Sequence, residues 1–157
     1  MEINGLPLHP LVVHAVVVFV PLGALAAILF AVMPRWRWLL RWPTLVLALG
    51  AVVVVRVAVM SGNSLKSDRE LGGPLLDRHI VWGHRLEYAV WVFAAVAVVA
   101  CWVLPYVVPL RDRDDRPSPM ASLTTVMTVL LPLAAAVVLV FAVITGDAGA
   151  KAVWQLQ

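Results

Sequence analysis

The chain has 157 residues, 62% of them hydrophobic and 13% charged, with a formal net charge of +3. An ordinary soluble domain carries about 25% charged residues and about half apolar ones, so a mean hydropathy of +0.94 excludes that class. The apolar residues gather into nearly charge-free runs of about 20, the length that crosses roughly 30 Å of hydrocarbon; this is the composition of an integral membrane protein.

The chain opens MEINGLPLHPLVVHAVVVFV. Glu2 and the absence of Lys or Arg before the apolar run differ from a signal peptide, which starts positive. The run from about Leu11 to Met33 is therefore expected to be a retained first span. Pro10 suits a first helical turn, where its missing N–H costs nothing. After PRWRWLLRW comes the second span, Pro43 to Met60, with Pro43 again in a first turn. The connection SGNSLKSDRELGGPLLDR is mixed in charge and broken by Gly72, Gly73 and Pro74. The third span is expected from about Ile80 to Leu104, the fourth from Ala121 to Thr145, with PLRDRDDRPSPM between them. Pro21 and Pro132 fall inside spans, where proline kinks a helix. Together these elements predict an all-α fold, a single four-span membrane domain over residues 1–157, threaded up-down-up-down as a four-transmembrane-helix bundle. No internal repeat and no soluble domain is apparent.

Trp36, Trp38, Trp42, Trp102 and Tyr106 fall on one side of this threading, as an interfacial aromatic belt does. The same side holds Arg35, Arg37, Arg41, Arg111, Arg113 and Arg116, against Arg56, Lys66, Arg69, Arg78, Arg85 and Lys151 on the other. The raw count ties. The dense early cluster after the first span tips the orientation toward termini outside the cytoplasm. These cations flank spans and read as topology signals rather than a nucleic-acid footprint. Cys101, the single cysteine, lies in a span and can form no internal disulfide.

Antiparallel threading places all four histidines, His9, His14, His79 and His84, on one membrane face, together with Arg56, Glu87 and Asp147. Within each pair the spacing is five residues, about 140° around a helix and about 7.5 Å along it. Two ligands on one helix prefer a spacing of four, so each helix is expected to send one imidazole inward and leave the other at the rim or toward a neighbour. A b-type haem could take one histidine from each of two helices, with Arg56 or Arg85 near its propionates. A mononuclear transition metal could take His14 and His79 with Asp147 or Glu87. Against both stands the plainer use of such groups as interhelical hydrogen-bonding side chains, with Arg56 snorkelling to the interface. Met33, Met60, Met120 and Met127 form no ladder for copper.

GLPLHPLVVH leading into a span, SGNSL closing the second, RHIVWG opening the third and TGDAGAKAVW ending the chain form a recognisable set. Together they resemble a domain-of-unknown-function family of small bacterial four-helix membrane proteins, over essentially the whole chain. The resemblance implies a four-span fold in the bacterial cytoplasmic (inner) membrane without an established activity. Some relatives are joined to Rieske-type iron–sulfur domains, which implies redox work. The family motif matches His9, His14 and His79, with Gly62 and Gly83 beside them. His84 matches no motif position, and some relatives carry a histidine where this chain has Asp147.

The leading expectation is a redox accessory protein that binds a metal or haem near the extracytoplasmic face. His14 and His79 would be the ligands, His9 and Asp147 further ligands or groups hydrogen-bonded to them, and His84, Glu87 and Arg56 surrounding groups or alternative ligands. The alternative is a structural or assembly subunit of a membrane (respiratory) complex or a homo-oligomer. In that case small residues such as Gly23, Gly50 and Ala135 would permit close helix contact. No phosphate loop, Ser-His-Asp pattern or catalytic carboxylate pair supports an enzyme, and nothing points to nucleic acid. The lipid bilayer is the one partner the composition requires.

Overall fold

The computed structural model describes residues 2–3, 6–68, 72–106 and 121–154. Four helices carry the chain: α1 (Leu8–Val32), α2 (Arg37–Asp68), α3 (Pro74–Val103) and α4 (Ala121–Trp154). Each is long and apolar enough to cross a bilayer. A two-residue antiparallel pairing of Glu2–Ile3 with Leu6–Pro7 precedes α1, and a 3-10 turn at Pro34–Trp36 joins α1 to α2. Arg69, Arg111, Arg113 and Arg116, used above to orient the chain, lie outside the described residues.

The helix boundaries follow the chain's punctuation. Pro34 ends α1, whose last turn closes with Met33 N–H donating to the Leu29 carbonyl at 2.9 Å. Gly73 has φ +131°, a left-handed value that favours glycine, and Pro74 is the first residue of α3. Asp77 in that first turn suits the positive end of the helix dipole. The helices nevertheless overrun the apolar runs. Helix α2 starts at Arg37, so Pro43 lies inside it, and it continues past Met60 to Asp68. Helix α4 continues past Thr145 to Trp154. Hydrocarbon thickness sets the length of the apolar run, but the backbone ladder can continue into the headgroup region. His9 belongs to the first turn of α1.

Neighbouring helices pack through small residues, as expected where lipid removes the hydrophobic drive between spans. Gly23 sits against the Leu47 backbone and Gly50 against the Phe19 ring. Ala24, Ala27, Ala48, Ala51, Ala97 and Ala135 are buried. Gly23, Gly50 and Ala135 are thus used inside the chain. At the end away from the histidines, the buried Arg37 guanidinium donates to the Phe30 carbonyl (3.1 Å), the Ala31 carbonyl (2.9 Å) and the Pro105 carbonyl (3.3 Å). It satisfies carbonyls that the last turn of α1 leaves without partners. Nearby Arg41 donates to the Tyr106 hydroxyl at 2.8 Å and lies against the Trp42 and Trp102 rings. Three members of the aromatic belt expected from the sequence, Trp42, Trp102 and Tyr106, thus gather around one arginine.

The bundle has a pseudo-twofold repeat that the sequence reading missed. Helix α1 packs on α2 as extensively as α3 on α4, and the looser α2–α3 and α1–α4 contacts are likewise matched. The register that pairs His9 with His79 also pairs His14 with His84. It further pairs Val20 with Val90, Ala24 with Ala94, Ala27 with Ala97 and Ala31 with Cys101, all buried. In the second helix of each hairpin, Ala48 pairs with Ala135, Ala51 with Val138 and Ser61 with Ala148, again all buried. One helical hairpin is used twice, with α1 and α3 on one diagonal of the bundle and α2 and α4 on the other.

Candidate functional site

The two hairpins meet at His9 and His79, whose ring centres are 6.1 Å apart in an edge-to-face arrangement with planes at 77°. Each ring is tied to the second helix of its own hairpin. His9 Nδ1 lies 2.9 Å from the Ala58 carbonyl, and His79 Nδ1 lies 3.0 Å from the Thr145 carbonyl. A carbonyl oxygen only accepts, so both Nδ1 atoms carry a proton, and in the tautomer this fixes the ring lone pair lies on Nε2.

A glycine makes each contact feasible. In an α-helix the carbonyl of residue i already accepts from the N–H of residue i+4. For Ala58 that residue is Gly62, and for Thr145 it is Gly149. A Cβ at Gly62 would stand 3.0 Å from His9 Cε1, and one at Gly149 would stand 2.8 Å from His79 Cε1. Only the bare backbone lets an imidazole lie against the helix and share the carbonyl. Gly62 was legible from the sequence motif; Gly149 and the glycine rule were not.

A cavity of about 540 Å³ opens around the pair and draws its lining from all four helices. This lies within the usual ~300–1,000 Å³ range of ligand pockets. On α2 the lining continues outward past the His9 level to Asn63 and Lys66; on α1 it descends to Pro21, roughly 18 Å below His9 at 1.5 Å per residue. The deep limb is apolar, walled by Val17, Pro21, Val55, Leu86 and Leu139. The imidazoles thus sit between a polar rim and an apolar floor.

The remaining sequence candidates divide. His84 and Asp147 line the cavity, but His14 does not. His14 is exposed, with Nδ1 2.7 Å from the Pro10 carbonyl of its own helix. The structure therefore does not bring His14 to His79; His9 takes that place. Asp147 is exposed and accepts from Lys151 at 2.7 Å. Glu87 is buried and accepts from Arg56 at 2.9 Å, with His84 Nδ1 3.5 Å from its other oxygen. Arg56 is thus paired rather than merely snorkelling. Arg85 lies over the Trp82 ring, away from any ligand role. Among the described residues no group of three or more His, Cys, Asp or Glu side chains is arranged to hold a metal ion.

Comparison with known families places residues 5–157 within a single family model, described as predicted membrane protein, DUF2231. The chain belongs to this family. The match covers both hairpins and every residue of the site. No curated protein and no solved structure matches the chain. Family and fold together identify a DUF2231 membrane protein with four apolar helices.

Proposed function

We propose that this protein binds a b-type haem between His9 and His79 and serves as a redox accessory in the membrane. The observation that carries the reading is the paired imidazole arrangement, one from each hairpin, with both Nδ1 protons committed to helix carbonyls. A bond of this kind from Nδ1–H to a carbonyl fixes the tautomer of a metal-ligating histidine. A metal–imidazole bond is about 2.0–2.1 Å, and the 6.1 Å between ring centres would accommodate one such bond on each side once both rings turn Nε2 toward the gap from their edge-to-face arrangement. Haem iron needs only two protein ligands along its axis, whereas a bare metal would need ligands that the described residues do not assemble.

The polarity of the cavity supports the same choice. A porphyrin has an apolar edge and a carboxylate edge; the floor at Val17, Pro21 and Leu139 suits the first, and Lys66 at the rim suits the second. Lys66 already pairs with Asp77 at 3.1 Å, as Arg56 does with Glu87 at 2.9 Å, so a propionate at the rim would have to displace the Asp77 carboxylate. The redox partner would be another component of the membrane or of a respiratory complex. The arginine pattern supports placing the site on the extracytoplasmic side of the bacterial inner membrane, which a periplasm-dependent reporter fused after Gln157 tests directly.

The deciding experiment is the absorption spectrum of protein purified from haem-sufficient cells, with haem quantified per chain. The reading expects one haem and a Soret band, lost in His9→Ala and in His79→Ala and retained in His14→Ala. Folded wild-type protein that takes up no haem on reconstitution would overturn it.

A further inference from the structure

The repeat gives the cavity two equivalent flanks, one between α2 and α3 and one between α1 and α4, and the chain treats them differently. Between α2 and α3, Arg56 reaches across to Glu87 at 2.9 Å and bridges the cleft. The register that pairs Ala58 with Thr145 pairs Arg56 with Val143, and the one that pairs His79 with His9 pairs Glu87 with Val17. The counterpart of the ion pair is therefore two valines, each with a short side chain. His14, the counterpart of His84, turns away onto its own helix. Val17 and Val143 both line the cavity and are 66% and 71% exposed, so no side-chain bridge closes the α1–α4 cleft at the positions where Arg56 and Glu87 close the other.

This cleft lies within the apolar spans, at the level of the deep limb and below the imidazoles. In that position it faces hydrocarbon, with no water to fill it. We infer that the α1–α4 cleft admits an acyl chain of a membrane lipid into the deep limb of the cavity, past Val17 and Val143. The limb is elongated along the bundle and apolar throughout, as an alkyl chain requires. The Arg56–Glu87 pair keeps the opposite flank shut, since admitting a chain there would leave an unpaired charge in hydrocarbon. A porphyrin seated against Val17, Pro21 and Leu139 would fill the same limb, so the inference concerns the haem-free chain, and its test is run on protein with no haem bound.

The test uses the full chain in vesicles of a phosphatidylcholine carrying a photoactivatable diazirine on one acyl chain, with labelled residues mapped by mass spectrometry. Val55 and Leu86 are buried yet line the cavity, so lipid outside the bundle cannot reach them. The exposed Val53 and Val92 report ordinary annular lipid. The expected result is label on all four residues, with label on Val55 and Leu86 lost when Val17→Trp and Val143→Trp are combined to fill the cleft. The single Val143→Phe change gives a milder version at a lipid-facing position and should reduce the interior label. Wild-type protein labelled on Val53 and Val92 alone would overturn the inference, as would interior label that survives the filled cleft.

Discussion

His9 and His79 meet across the bundle diagonal with ring centres 6.1 Å apart, each fastened by Nδ1 to a carbonyl of its own hairpin's second helix. Each hairpin holds its own imidazole, so the geometry of the pair is set by how the two hairpins dock.

Gly149→Ala should displace the His79 ring, because the new methyl would fall 2.8 Å from Cε1; Gly62→Ala, with 3.0 Å at His9, should be milder. Overpacking of this kind costs about 1–3 kcal/mol. Gly83 and Gly146 have nothing within 4 Å of an added Cβ, so alanine there should be neutral or stabilising by up to about 1 kcal/mol through helix propensity. Thermal unfolding of the four variants in one detergent checks the ranking.

His14→Ala should change stability by no more than about 0.5 kcal/mol, since an exposed side chain bonded to its own helix has little to lose. His79→Ala removes a ring from the centre of the bundle and leaves a cavity, and should cost about 2 kcal/mol or more. Paired melting curves distinguish the two, and equal destabilisation would contradict the arrangement.

Glu87→Leu should destabilise the protein by about 1–2 kcal/mol, because it removes the partner of an Arg56 guanidinium that is half exposed at the edge of the hydrocarbon. Replacing both residues, Arg56→Leu with Glu87→Leu, should recover most of that loss. A double-mutant cycle on unfolding free energies measures the coupling.

At the other end, Arg37→Met should cost about 3 kcal/mol, the loss of two or three charge-assisted bonds to the α1 and Pro105 carbonyls. Arg37→Lys should recover only part of it, since an ammonium lacks the guanidinium fork that reaches all three oxygens. Because Arg37 lies far from the imidazoles, this loss should leave the absorption spectrum of any bound chromophore unchanged.

The sequence by itself determined the four spans, their threading and the gathering of all four histidines at one end. Each of these depends only on apolar run length and on alternation across a bilayer. Five residues turn a helix by about 140°, which predicted one inward imidazole per helix; α1 follows this, with His9 at the cavity and His14 outside it, whereas on α3 both His79 and His84 line it. Which rings face inward the sequence left open. That choice belongs to helix rotation, and rotation is set by contacts such as Gly23 against Leu47 and Gly50 against Phe19, which only the packed bundle reveals. The repeat stayed hidden for a related reason: Val, Ala and Leu substitute freely in lipid-facing runs, and the two hairpins have unequal connections. What survives is the H-x4-H spacing and a glycine beneath each imidazole, and these acquire meaning once the carbonyls of Ala58 and Thr145 are seen receiving the rings.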